Sequence, residues 1–255
     1  MQEAYRYLAA LNRSASGAEP VVACFDLDRT LIQGYSLTAL ARQQIAAGEV
    51  GYRQGFSLAR VMINYSLGRC DYHEVLRATL DSITGMPEAA LQKLGRDAFH
   101  ASIVGTVYQA GQALIEAHRN MGHHVIMITS ATRYQAQPVA ELLAIPHLRC
   151  TELEMVAGQV SGHVYSCYGP GKLAAAEQFA HDLGANLKQA YFYTDSQEDL
   201  PLLEQVGYPV VVNGKRKLKK IALARGWPML HFNAKLACAD VSAGTMESTV
   251  HNKAA

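Results

Sequence analysis

The sequence predicts an α/β protein with a parallel sheet built from βαβ units and an all-helical insert after the first strand. Four short apolar runs read as buried strands because each is bounded by polar or turn residues and followed by a stretch of helical periodicity. These runs cover residues 21–25, 125–129, 190–193 and 209–212. Between residues 36 and 104 no comparable run occurs, so this stretch is predicted to be helical.

The insert divides into four predicted helices separated by glycine-containing turns. These helices cover residues 36–47, 51–67, 72–83 and 87–104. Asp71 and Thr84 are candidate caps of the third helix. Residues 152–165 alternate weakly around Gly158, which favours a short hairpin. The segment from residue 233 to the end lacks periodicity and is expected to be poorly ordered.

The composition is that of a globular protein without a strong charge of either sign. The 255 residues are 49% hydrophobic and carry a formal net charge of +1, so nothing favours nucleic acid as a partner. The chain has five cysteines, an odd number, and no two of them form a C-x-x-C motif. This indicates free thiols in a reducing compartment. No signal peptide is evident, and no apolar run approaches the roughly 20 residues of a membrane helix. We therefore expect a cytoplasmic protein without stable membrane insertion.

Two carboxylates, Asp26 and Asp28, directly follow the first predicted strand. Ligands of open α/β sheets bind at the carboxyl ends of the strands. Nearby anions repel one another unless a cation or a proton compensates. The pair therefore indicates a metal site, a nucleophile with an acid/base partner, or both. A turn in which the two side chains cap backbone groups is the structural alternative.

Three further segments carry candidate chemistry. Ser130 and Ala131 end another strand, where hydroxyl and backbone N–H groups suit a phosphate oxygen, although helix capping explains them as well. Lys172 opens a helix, where the dipole disfavours a cation, and this misfit indicates a function such as neutralising a phosphate. Asp195 follows the third predicted strand and Asp199 lies four residues later; oxygen ligands of this kind suit Mg²⁺.

In order and context, these segments resemble the four motifs of the haloacid dehalogenase superfamily, from about residue 21 to residue 230. The most similar branch is the phosphoserine-phosphatase-like one, called subfamily IB. The resemblance implies a Rossmann-like core at residues 18–34 and 105–232. It also implies a C1-type helical cap at residues 35–104, with residues 233–255 as a tail.

The resemblance also implies a role for each motif position. Asp26 would attack phosphorus and form an aspartyl-phosphate, and Asp28 would act as acid and then base. Lys172 would hold Asp26 and the phosphate in place. Asp195 would bind Mg²⁺ together with Asp26 and the backbone carbonyl of Asp28. Asp199 would either support the metal or orient Lys172.

Phosphate and substrate contacts are implied for the segment after the second strand. Ser130 and the adjacent Ala131 would bind a phosphoryl oxygen, and Arg133 is a candidate specificity residue, although packing at the start of a helix explains it equally well. The expected substrate is a small or medium organic phosphomonoester. Residues 32–36 contain no acid where phosphoserine phosphatases carry a glutamate, and Arg29 replaces a small residue. Both features argue against phosphoserine.

Several alternatives stay open at the level of sequence. A phosphotransferase or phosphomutase would use the same motifs, and a histidinol-type or lipid-linked phosphate would be a possible substrate. A phospho-aspartate signalling module is the non-enzymatic alternative, although such domains are shorter and lack a helical insert. The basic run at residues 215–220 is read as a solvated helix face. The sequence predicts no oligomeric state.

Overall fold

A seven-stranded sheet forms the centre of the computed structural model, which describes residues 7, 19–48, 60–61, 64 and 69–236. The strands are β1 (Val22–Phe25), β2 (His124–Thr132), β3 (His147–Val156), β4 (Gln159–Tyr165), β5 (Tyr191–Thr194), β6 (Tyr208–Val212) and β7 (Met229–Leu230). Their order across the sheet is β4-β3-β2-β1-β5-β6-β7. The strands pair in parallel apart from β4, which runs antiparallel to β3. The predicted α/β class, the parallel sheet and the hairpin are confirmed.

Eight α-helices occur in the described part of the chain. They are α1 (Ser36–Ala46), α2 (Tyr72–Ile83), α3 (Glu88–Ala98), α4 (Gln109–Asn120), α5 (Arg133–Leu142), α6 (Pro170–Leu183), α7 (Leu200–Leu203) and α8 (Arg216–Arg225). None of the described helices is long and apolar enough to cross a membrane.

The first three helices lie in the predicted insert. Helices α1 and α2 match their predicted ranges to within one residue, and α3 continues into a π-helical turn at Phe99–Ile103. Asp71 begins α2 with a capping box, in which its side chain accepts from the backbone N–H of Glu74 and the Glu74 side chain accepts in return. The predicted helix at residues 51–67 lies almost entirely outside the described residues.

Successive residues of the central strands pack on opposite faces of the sheet. Phe25 and Tyr193 belong to one hydrophobic cluster, whereas Cys24 and Phe192 belong to the other. This alternation follows from the two-residue period of a β-strand, and it requires strands that are apolar on both faces. The first cluster also contains Leu91 of α3, so the insert shares one core with the sheet.

The end of the described chain also joins this core. Leu236 donates a backbone hydrogen bond to Val107, and the backbone N–H of Gln109 donates to Ala234. Residues 233–236 of the predicted tail are thus paired with the segment before α4, while residues 237–255 lie outside the described part.

Helix α3 packs closely against α5 at Gly95. A methyl group added at Gly95 would lie 2.1 Å from the carbonyl oxygen of Tyr134. We expect Gly95→Ala to lower the free energy of unfolding by about 1–3 kcal/mol, because overpacking outweighs the gain of about 1 kcal/mol in helix propensity. Urea denaturation measures this, with exposed Arg96→Ala on the same helix as the control. Equal or greater stability of Gly95→Ala would contradict the close packing.

A buried histidine makes the stability depend on pH. Burial, and then the charge of His123, lower the pKa of His118 to about 3. Its ring nitrogens lie 2.8 Å from His123 Nδ1 and 2.8 Å from the Tyr193 hydroxyl. Folded His118 stays neutral while the unfolded chain takes up a proton near pH 6.5, so the unfolded state binds more protons as the pH falls.

We therefore expect His118 to lower the free energy of unfolding by about 2 kcal/mol between pH 8 and pH 5. The measurement is urea denaturation at both pH values for wild type and His118→Gln. The variant should be less stable at pH 8 but lose about 2 kcal/mol less on acidification. Exposed His181→Gln is the control, and an unchanged pH dependence in His118→Gln would contradict the assignment.

Candidate active site

The three central strands bring the predicted residues to one edge of the sheet. Asp26 directly follows β1, Asp195 directly follows β5, and Ser130 lies near the end of β2. Strand β1 pairs in parallel with both neighbours, and Phe25 is in register with Met127 and Tyr193. The carboxyl ends of the three strands therefore meet, as expected for a ligand site in an open α/β sheet.

Lys172 links two of the carboxylates at this edge. Its Nζ lies 2.7 Å from Asp26 Oδ1 and 2.8 Å from Asp199 Oδ2. All three residues are at most 4% exposed. Burial lowers the pKa of Lys172, but the negative charges of Asp199 and Asp26 outweigh burial and raise it above the usual value. The lysine is therefore a fixed positive charge beside Asp26.

Asp199 accepts hydrogen bonds from this lysine and from a threonine. Its Oδ2 also accepts a hydrogen bond of 2.6 Å from the Thr194 hydroxyl at the end of β5. A carboxylate held by two donors keeps the ammonium group in one position. Of the two roles implied for Asp199 by the resemblance, the contacts favour orientation of Lys172.

Asp28 lies in a different environment from Asp26. Its Oδ1 accepts a 2.7 Å hydrogen bond from the backbone N–H of Ser36, the first residue of α1. The Ser36 hydroxyl in turn accepts from Gln135 on α5 at 3.1 Å. Burial raises the pKa of Asp28 to about 7, although the bond from Ser36 opposes the shift. The side chain is thus placed by the insert as well as by the core.

Asp195 is paired with the unexpected arginine of the first motif. Arg29 Nε lies 2.5 Å from Asp195 Oδ2, and its Nη2 donates to the Asn213 carbonyl at 3.4 Å. Burial, and then the charge of Asp26, raise the pKa of Asp195 to about 7, while Arg29 opposes the shift. Arg29 has φ = 61°, an uncommon conformation for a residue other than glycine.

Two threonines that were not predicted as site residues join the motifs. The Thr30 hydroxyl accepts from the backbone N–H of Asp195 at 3.1 Å and donates to Asp26 Oδ2 at 3.4 Å. Thr194 supports Asp199, as described above. Both threonines lie inside the predicted motifs, and this position was the signal that the sequence offered. Thr30 contacts the backbone of Asp195, 165 residues away. Thr194 contacts Asp199, 5 residues later in the chain.

The phosphate-binding candidates lie beside this group. Ser130 and Ala131 both line the same cavity as Asp26. The Ala131 backbone N–H donates to the Thr129 hydroxyl at 3.1 Å, which leaves the Ser130 side chain as the better placed donor. Thr132 forms a capping box with Gln135 at the start of α5, and both residues also line the cavity.

Arg133 is the predicted site residue that the structure does not bring to this group. Its guanidinium pairs with Glu152 on β3, and it is not among the residues that line the cavity. It is the first residue of α5, and its side chain follows β3 instead of entering the site. This placement corrects the expectation that Arg133 contacts substrate.

The cavity has a volume of about 520 Å³ and lies between the sheet edge and the insert. Tyr72 of α2 contributes to its wall, and its hydroxyl donates to the Ser130 carbonyl at 3.4 Å. The Tyr72 ring stacks on Tyr168 with ring centroids 3.9 Å apart and planes at 2°. Tyr168 precedes the turn that carries Lys172, so one cap residue contacts both loops of the site.

The charges of the site fit a divalent cation. Asp26, Asp28, Asp195 and Asp199 supply four carboxylates, and Lys172 and Arg29 supply two cations. Full ionisation leaves two uncompensated negative charges, which a hard dication would balance. Within the described residues, no set of three or more acidic, histidine or cysteine side chains converges on one point. Two carboxylates with a backbone carbonyl and water match the needs of Mg²⁺.

Known proteins of similar sequence identify the family of this chain. The family model for haloacid dehalogenase-like hydrolases matches residues 23–204. A probable phosphatase of Mycobacterium tuberculosis is 31% identical over 222 residues, which cover 86% of this chain and 77% of the relative. A phosphoserine phosphatase of the same organism is 31% identical over 217 residues, covering 82% and 70%.

The fold is also found among solved structures. A phospho-aspartyl intermediate analogue of phosphoserine phosphatase matches with a TM-score of 0.64 and 17% identity, covering 85% of this chain and 95% of the other. At this identity the likeness concerns the fold alone. The family match spans all four motif segments described above, from Asp26 through Ser130 and Lys172 to Asp199. This chain therefore belongs to the haloacid dehalogenase-like hydrolase family.

Proposed function

We propose that this protein is a Mg²⁺-dependent phosphomonoester phosphatase that acts through an aspartyl-phosphate at Asp26. The observation that carries the proposal is the buried ion-paired set of Asp26, Lys172 and Asp199 at the end of a cavity beneath the insert. A buried carboxylate with a fixed ammonium beside it suits attack on an anionic phosphate, since the cation offsets the charge gathered there.

In the first step, Asp26 forms a bond to phosphorus as the bond to the ester oxygen breaks. Asp28 lines the same cavity and would donate its proton to the departing alkoxide. Water then attacks the phosphorus of the intermediate and loses its proton to Asp28. Inorganic phosphate leaves, and Asp26 and protonated Asp28 are regenerated.

Other residues hold the reacting groups in position. Lys172 would keep Asp26 oriented and contact the phosphoryl group, and the Ser130 hydroxyl would donate to one of its oxygens. Asp26, Asp195 and the backbone carbonyl of Asp28 would hold Mg²⁺. When bound, the metal would offset negative charge on the phosphoryl oxygens. Arg29, already paired with Asp195, would keep that carboxylate oriented.

The insert supports a small or medium substrate. Its residues form one wall of the cavity, and Tyr72 joins that wall to both phosphate-facing loops. Such a cover limits bulk water and leaves space for a molecule of limited size. The names of the relatives, which include a histidinol-phosphatase of Neisseria meningitidis, are consistent with small phosphomonoesters.

Asp26→Asn removes the proposed nucleophile. We expect Mg²⁺-dependent phosphate release from p-nitrophenyl phosphate to fall by a factor of at least about 10³, because an amide does not form the covalent intermediate. The control is Asp81→Asn, which removes an exposed carboxylate of α2. Substantial activity in Asp26→Asn, or a wild type that releases no phosphate from any phosphomonoester, would overturn the proposal.

Asp28→Asn separates the two chemical steps. The p-nitrophenolate group leaves without a proton, whereas hydrolysis of the intermediate needs a base. We expect a rapid burst of about one p-nitrophenolate per active site, followed by turnover slowed by about 10²–10⁴-fold. Stopped-flow absorbance measures both phases. A variant with no burst and equal losses for p-nitrophenyl and alkyl phosphates would argue against this role.

A further inference from the structure

Three consecutive cationic residues form part of the cavity wall outside the groups assigned above. Lys215, Arg216 and Lys217, here called the basic rim, line the same cavity as Asp26 and Asp28. They stand at the start of α8, directly after the loop that follows β6. All three side chains are exposed, so they face solvent at the cavity and are not part of the core.

The position of the basic rim is electrostatically unfavourable for the protein alone. Lys215 is the N-cap of α8, Arg216 and Lys217 begin its first turn, and that turn contains no acidic residue. The N-terminal end of a helix carries partial positive charge and favours anions. Among the residues that the structure describes, no carboxylate pairs with any of the three. An anionic ligand would supply the missing charge.

Only part of the basic run contributes to the rim. Lys219 and Lys220 follow on the same helix and are exposed, but they do not line the cavity. The prediction that residues 215–220 form a solvated helix face therefore agrees with the positions of Lys219 and Lys220. It does not account for the first three residues, which share the cavity with the proposed nucleophile.

The insert contributes apolar side chains to the cavity wall. Leu37, Val75 and Leu76 line it there. Two carboxylates outside the proposed catalytic set also line the cavity, but both already have partners. Asp71 accepts from the backbone N–H of Glu74, and Glu198 accepts from the Ser196 hydroxyl. The insert thus offers apolar contact, and the basic rim sets three positive charges against these two carboxylates.

We propose that the basic rim is a subsite for a second anionic group of the substrate. The substrate class is a phosphomonoester whose leaving group has an apolar body and ends in a carboxylate or a second phosphate. Lys215 is already oriented, because its Nζ donates to the Tyr35 hydroxyl at 3.3 Å. The inference rests on the proposed function, since it places the ester phosphate at Asp26 of the same cavity.

A cavity of about 520 Å³ that contains both the nucleophile and the rim favours one small ligand over a polymer or a membrane surface. The same chemistry disfavours substrates with a cationic leaving group, such as amino alcohol phosphates. Exposed ion pairs are individually weak, so the rim should change selectivity by a modest but measurable factor.

The test compares phenyl phosphate with 4-carboxyphenyl phosphate in the presence of Mg²⁺. The measured quantity is the ratio of their kcat/KM values in wild type, in Arg216→Gln/Lys217→Gln and in Lys219→Gln/Lys220→Gln. The two double variants remove the same charge from the same helix. Differences in leaving-group reactivity cancel when one enzyme form is compared with another.

We expect the rim variant to reduce the ratio about fivefold or more, and the control variant to leave it within about twofold of wild type. The effect should weaken in 0.5 M NaCl. An unchanged ratio in the rim variant would overturn the subsite. An equal reduction in both variants would also overturn it, because that result indicates the general field of the helix.

Two further outcomes separate this inference from its alternatives. The first is that phenyl phosphate is hydrolysed in a reaction that requires Asp26, while the ratio of kcat/KM values is the same in wild type and in the rim variant. This result would reject the subsite and leave the proposed phosphatase activity intact. No hydrolysis of either compound by wild type would reject the function itself. Rim-dependent sedimentation with phosphatidylglycerol vesicles, without any change in the ratio, would assign the rim to a membrane surface instead.

Discussion

The arrangement of the site depends on the ammonium group of Lys172 between Asp26 and Asp199. Three charged groups buried to this extent are unfavourable unless each is paired, and removing one would leave an uncompensated charge in the interior. Asp26 follows β1, Asp199 follows β5, and Lys172 lies in the first turn of α6. The two ion pairs therefore hold these three segments in fixed positions relative to one another. Thr194 and Thr30 extend this network to the backbone of β5 and to Asp195.

The insert is part of the same structure and not a separate cover. Leu91 of α3 packs in the cluster that contains Phe25 and Tyr193, so cap and sheet share a hydrophobic core. At the site, Ser36 of the insert binds Asp28, and Tyr72 stacks on Tyr168. Because the proposed acid/base and the proposed phosphate loops both contact the insert, a change in its position would be felt at the reacting groups.

The cavity combines two kinds of charge. Its inner end has more carboxylates than cations, which suits a divalent metal and an incoming phosphate. The basic rim has an excess of positive charge at a helix terminus that already favours anions. Because both charged groups and apolar residues of the insert line one cavity, the proposed subsite would hold a substrate with one anionic group at the nucleophile and another at the rim.

The fold class and the residues of the acidic edge could be predicted from the sequence alone. Buried strands of a parallel sheet are apolar on both faces, and carboxylates directly after them, such as Asp26 and Asp195, are conspicuous along the chain. Which side chains contact one another became known from the three-dimensional arrangement. Arg29 pairs with Asp195, Arg133 turns to Glu152, and the basic run divides between cavity and solvent. These contacts depend on side-chain direction and on segments far apart in sequence, which local periodicity does not encode.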